Sequence, residues 1–226
     1  MNIRCTNLID RRGRDIHRDR RRNPAHPIQV IILHQTTGRT FLDEQNQEWL
    51  EGRRAHRVDQ ISAHFVILQN GMIYYTHDFS QYRAGSAARG HGVDIEFAGN
   101  FPYDRTPDPS RRVPVAMIRA GRNLVTALVE QTGSITHIHP HGQVQGEMRE
   151  DGAECGGRGS SYPCGSLGNC PGPDIWVNVG EWACVAKPQG LGMISDPPLA
   201  GLGLAMRSID PQQTNAAYRQ DLSTTP

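Results

Sequence analysis

The sequence predicts an α/β protein in which a mixed central β-sheet is flanked by helices. Three observations lead there. "QVIILHQ" (29–35) is an unbroken apolar run, the pattern of a strand buried on both faces. "HFVILQNGMIYYTHD" (64–78) is two apolar runs around Gln-Asn-Gly, the pattern of a hairpin. Between Val115 and Val129, apolar residues at 115, 118, 124, 125, 128 and 129 share one helical face.

Each element follows from its residues. In the hairpin, Asn70-Gly71 suits the positive φ angles of a type I′ turn. "HGVDIEFAG" (91–99) is a further strand. Pro114 stands where a proline fits the first turn of the helix beginning near 115. "SITHIHPHG" (134–142) returns to strand pattern, so His137, His139 and His141 are expected on one side of it. After Pro173, the spacing of Trp176, Val179 and Ala183 predicts a second helix, which Gly180 weakens. The order strand, hairpin, strand, helix, strand, helix describes a mixed sheet covered by helices.

The remaining segments frame this domain. Residues 1–27 read as an N-terminal arm, basic through "RRGRDIHRDRRR" (11–22) and solvated. The domain runs over 28–186, with an irregular Gly- and Ser-rich insertion at 145–168. Residues 187–226 read as a C-terminal tail, mostly irregular and outside the core, with a short helix near 212–220. That tail is a candidate surface for a protein partner.

At 226 residues the chain has room for one domain with additions, and its net charge of +1 makes no electrostatic case for nucleic acid. No apolar stretch approaches the ~20 residues of a membrane span. "MNIRCTNLID" shows no apolar core of a signal peptide. The expectation is therefore a protein made in the cytosol.

Five cysteines stand at 5, 155, 164, 170 and 184. If Cys170 holds metal, the other four could form two disulfides, with Cys155 and Cys164 the best-placed pair around a short loop. His34 ends a buried strand, and Cys170 lies just before Pro-Gly-Pro and a helix. Two imidazoles and a thiolate with one open position would make a catalytic zinc site. Spacing alone leaves open whether these histidines ligate or are structural.

The segments "VIILHQT", "ISAHFVILQNGMIYY", "YRAGSAARGHGVDIEFAGN", "HPHGQV" and "CPGPDIW" occur in that order. In this order they resemble zinc-dependent N-acetylmuramoyl-L-alanine amidases, the type shared by peptidoglycan recognition proteins and phage lysozyme-type amidases. The likeness spans roughly residues 28–184.

It implies a zinc amidase that cuts the bond between N-acetylmuramic acid and L-alanine in peptidoglycan or a muropeptide, acting on the cell wall after release or export. It implies His34 as first zinc ligand and Cys170 as third. His141 is the best fit for the second, with His139 and then His137 behind it. It makes Glu96, in "VDIE", the proton shuttle, with Asp94 two residues away as its competitor. His64, in "SAHF", would pack beside the site or touch substrate.

Three positions depart from the family pattern. Gly168 stands where many members have lysine, Ala63 where some have tyrosine, and Arg83 where "HAG" is usual. The donor that stabilises the tetrahedral intermediate is thus left open among His139, Gln143 and Arg83. Arg83, Arg89 and Arg39 are candidates to meet the carboxylates of the stem peptide. The resemblance extends to two other roles, recognition of peptidoglycan without cutting and recycling of soluble muropeptides.

Overall fold

A computed structural model describes residues 1–12, 21–36, 61–84, 90–99, 101, 107–144, 170–195 and 214–222. Six strands form one sheet: β1 (Leu8–Asp10), β2 (Val30–Gln35), β3 (Phe65–Ile67), β4 (Ile73–Tyr75), β5 (Gly92–Phe97) and β6 (His137–Pro140). Their order across the sheet is β1-β4-β3-β5-β2-β6. Only β3 and β4 run antiparallel, and every other neighbouring pair is parallel.

The apolar run at 29–35 becomes β2, buried along its whole length as its composition predicts. The hairpin pairs Phe65 with Tyr75 and Ile67 with Ile73. Its turn differs from the type I′ expectation. Gly71 has φ +85°, but Asn70 does not share the positive φ that type I′ needs at both positions. The Gly71 N–H closes on the Leu68 carbonyl at 2.9 Å, and Leu68 N–H on Met72 O at 2.8 Å. That is the longer hairpin loop with one left-handed glycine, and Asn70 serves it by accepting from the Met72 N–H through its side chain.

The long helix α1 spans Val115–Thr132, slightly further than the apolar spacing predicts. Gly133 ends it with φ +67°, its N–H bonded to the Val129 carbonyl. Met117, Ile118, Leu124, Val125 and Leu128 point into the core. Burying each such side chain contributes about 1.5–3 kcal/mol. Gly121 brings α1 close to the sheet: a Cβ there would lie 2.8 Å from the Phe97 ring and 3.2 Å from Val179.

A single turn, α2 (His141–Val144), follows β6 directly. His141 therefore leaves the strand, and the three alternating histidines do not share one strand face. The last helix, α3, is a continuous run of α (Pro173–Ile175), π (Trp176–Glu181) and α (Trp182–Cys184). Trp176, Val179 and Ala183 are all buried on it, as their spacing predicts.

Both ends of the chain differ from the expectation of an arm and a tail outside the core. β1 extends the sheet beside β4, and Ile3 is buried. Arg12 leaves the strand to bind Asp10 and Asp78 and lies over the Tyr75 ring. At the other end, Ile194 bridges to His137 and covers the outer edge of β6. Ala216–Tyr218 is a short 3-10 turn whose Tyr218 is fully buried. Asp174, 1% exposed, accepts from Arg112 Nε (2.8 Å), Val113 N (2.7 Å), Asn178 Nδ2 (2.9 Å) and Gln220 Nε2 (3.0 Å). Arg112 and Asn178 also donate to the Tyr218 carbonyl. A local periodicity argument cannot find these anchors, because they join residues distant in sequence.

The insertion at 145–168, with Cys155 and Cys164, lies outside the described residues, as do Arg39 and Arg89. Of the four cysteines other than Cys170, Cys5 and Cys184 are unbridged.

Gly180 gives a test of packing against propensity. A Cβ on it would lie 2.2 Å from the Trp176 ring, which is only 1% exposed and has no room to yield. Helix propensity alone favours Gly180→Ala by up to about 1 kcal/mol. Overpacking costs about 1–3 kcal/mol and wins. Denaturant titration of Gly180→Ala should show net destabilisation.

Candidate metal centre

The parallel strands β5, β2 and β6 end on the same side of the sheet, the side where α/β proteins place ligands. His34 sits near the end of β2, and its Cα partner on β5 is Glu96. With strands about 4.8 Å apart, the two side chains stand beside one another on one face. β6 pairs with β2 as far as Leu33 and Pro140, so His141 follows one residue later, next to His34. The two rings lie 4.3 Å apart between centroids. Cys170 is brought up from the other side of the chain, just ahead of α3, and its carbonyl accepts from Gly142 N at 3.0 Å.

One ligand atom each from His34, His141 and Cys170 lies within 4.8 Å of the others, so this group could hold a metal ion. Around a tetrahedral zinc with ordinary Zn–N and Zn–S bonds such atoms stand about 3.3–3.6 Å apart. A movement of about 1 Å closes the set. Imidazole and thiolate together suit a borderline-soft divalent ion rather than Mg²⁺ or Ca²⁺. His34 and Cys170 are buried and His141 is half-buried.

The electrostatics of the ligands differ. Burial, and then the charge of nearby His34, lower the pKa of His141 to about 3, so its imidazole is neutral and its lone pair available. Burial also pushes His34 down. Hydrogen bonds to Asp94 and Cys170, with the charges of Asp94 and Glu96, outweigh burial and hold His34 well above its ordinary value. Metal and proton compete for the same imidazole nitrogen, so uptake of a metal there releases a proton.

Other residues singled out in the sequence fall in different places. Glu96 is half-buried beside His34. Asp94 is 1% exposed and takes the His34 Nε2–H at 2.8 Å, so it stands behind the ligand rather than in front of it. His64 is fully buried, with Nδ1 accepting from Asp94 N (2.9 Å) and Nε2–H donating to the Tyr82 carbonyl (3.1 Å). Both of its ring nitrogens are engaged within the protein. His139 is likewise buried and donates from Nδ1 to Gln143 Oε1 (2.7 Å), while Gln143 Nε2 donates to Ser195 O (3.1 Å).

Arg83 is exposed, but its stem passes Gly90, 3.9 Å from a Cβ built there, at the opening of β5. Six residues of near-extended chain, about 20 Å at 3.3 Å per residue, separate Gly90 from Glu96. The structure does not bring Arg83 to the metal group. The sequence signal for a partner behind His34 is Asp94, a buried carboxylate on a strand that is buried except at Glu96.

The fold and site together define an α/β protein with a His/His/Cys ligand group at the ends of parallel strands. The family described as N-acetylmuramoyl-L-alanine amidase (Amidase_2) matches residues 24–160, more than half of the chain. The chain belongs to that family. The matched stretch includes His34, Glu96 and His141, and Cys170 lies just beyond it.

Among solved structures, the chain is similar to the endolysin N-acetylmuramoyl-L-alanine amidase LysCS from Clostridium intestinale URNW. The identity is 15%, covering 76% of this chain and 90% of that one, with a TM-score of 0.46. It is similar to human PGRP-IBETAC, solved in complex with glycosamyl muramyl pentapeptide, at 18% identity over 70% and 93% of the two chains, with a TM-score of 0.43. Drosophila PGRP-SD matches at 21% identity over 51% and 70%, with a TM-score of 0.39. No curated protein matches the chain. Among the described residues, no helix is long and apolar enough to cross a membrane.

The burial of His64 generates a pH prediction. Desolvation lowers its pKa from the ordinary 6.5 to about 4 in the folded protein. The unfolded chain therefore binds the proton more readily, and His64 removes stability as pH falls from about 6.5 to about 4. The span corresponds to an upper bound on the order of 3 kcal/mol. Denaturant midpoints followed over this range should fall with acid, and His64→Gln should flatten this part of the profile.

Proposed function

We propose that this chain is a zinc-dependent hydrolase of the amide bond joining N-acetylmuramic acid to L-alanine in peptidoglycan. The observation that carries the reading is the convergence of His34, His141 and Cys170, with Glu96 beside His34 on the next strand. Membership of the amidase family supports the substrate class. The donor set fits zinc, with the fourth position left for substrate or water. Zinc, if held there, would supply a Lewis acid and acidify the attacking water.

The protein's own residues do the rest. His141 would offer a neutral imidazole, His34 would give up a proton on taking the metal, and Cys170 would ligate through its sulfur from the turn before α3. Glu96 takes the proton from the attacking water and delivers it to the departing amine of L-alanine. Its half-buried position on the ligand face suits that exchange with solvent and substrate. His139 bonds to Gln143, and Gln143 to Ser195, which buttresses the turn that carries His141.

The decisive test incubates the protein with purified sacculi and with soluble muropeptides, with and without a chelator, and identifies products by mass. Free stem peptides beginning with L-alanine, lost on chelation, are expected. Stoichiometric binding without cleavage would instead place the chain with the recognition proteins. The preferred substrate separates a lytic from a recycling role.

Two substitutions probe the assigned roles. Cys170→Ser should lose zinc and turnover together, with zinc read by elemental analysis. Full zinc occupancy in that variant would remove Cys170 from the ligand set. Glu96→Gln should keep zinc but lose about 10²–10⁴-fold in turnover, the usual contribution of a general base. An unchanged rate would rule out Glu96 as the proton carrier.

A further inference from the structure

We infer that Asp94 is a positioning residue of the metal centre: its carboxylate holds His34 through Nε2 and turns Nδ1 toward His141 and Cys170. The inference rests on the proposed metal site and deepens it by naming the residue that orients its first ligand.

Asp94 Oδ1 lies 2.8 Å from His34 Nε2, and the two side chains are 1% and 6% exposed. A carboxylate only accepts, so Nε2 carries the hydrogen. That leaves Nδ1 as the nitrogen that can ligate. On β5, Asp94 pairs with Ile32 and Glu96 with His34. Asp94 therefore reaches His34 along the diagonal between the strands, a distance that side chains span.

Asp94 is itself held in place. Its backbone N–H donates to His64 Nδ1 at 2.9 Å, and its carbonyl accepts from His64 N at 3.1 Å. His64 in turn donates from Nε2 to the Tyr82 carbonyl at 3.1 Å. A chain of oriented groups thus runs from Tyr82 through His64 and Asp94 to His34. Its last link has the form of a carboxylate–histidine–metal relay, which sets the ring's tautomer and angle and raises its basicity. The two carboxylates of "VDIE" divide the work. Asp94 stands behind the ligand, and Glu96 stands beside it at the open site.

The test measures zinc affinity by chelator competition on the full chain and on Asp94→Ala and Asp94→Asn. Loss of such a partner costs about 10–100-fold in metal affinity. Asp94→Ala should show this loss. Asp94→Asn is nearly isosteric and keeps an acceptor oxygen, so it should recover part of the affinity. Cobalt-loaded Asp94→Ala should show altered ligand-field bands while a folded circular-dichroism spectrum is retained.

A second readout needs no variant. Nitrogen-15 spectra of the zinc-loaded parent should show His34 with its hydrogen on Nε2, and a hydrogen on Nδ1 would overturn the proposal. Unchanged zinc affinity in folded Asp94→Ala would overturn the positioning role alone. A parent protein that binds no zinc would overturn the metal site and this role with it.

Discussion

The site depends on the register of β2. This strand lies wholly out of solvent between β5 and β6, parallel to both. The register sets His34 opposite Glu96 on one side and next to the end of β6 on the other. A slip of one residue would turn His34 to the opposite face of the sheet and break both relationships at once. Burial on both faces opposes that slip: one direction would put His34 where Leu33 now packs, and the other would put Leu33 in the polar place of His34. The apolar run that makes the strand stable is therefore also what positions its single imidazole.

Polar groups so deep in a sheet need partners, and the structure supplies them in two separate networks. One joins Tyr82, His64, Asp94 and His34 and ends at the ligand group. The other joins Asp174 to Arg112, Val113, Asn178 and Gln220 and ends at the segment 214–222. Both centre on a carboxylate only 1% exposed, and removing a partner from such a group costs several kcal/mol. Their purposes differ. The first orients a side chain for chemistry. The second fastens the C-terminal segment to the start of α1 and to α3, the helix that follows Cys170. α3 is in turn packed on α1 through Gly121 and Val179. The position of Cys170 thus depends on contacts made well away from the ligands.

The sequence by itself determined the elements and their faces. β2, the hairpin, β5, α1, β6 and α3 each follow from a periodicity confined to one segment, and burial obeys it at Leu124, Leu128, Trp176 and Val179. The ligand candidates His34, His141 and Cys170 were visible through the order of five short motifs, although the residues between them span most of the domain. Only the tertiary structure decided what lies across from what. His141 left the expected strand for α2, and the hairpin turned on Gly71 alone. β1 and Tyr218 joined the body of the protein. His64 and Asp94 became partners across two strands, and Arg83 fell at the far end of β5. Periodicity records which way a side chain points along its own segment. Hydrogen-bond partners, register and distance between segments arise only when the chain closes on itself, so roles that rest on them are not written in any one stretch of it.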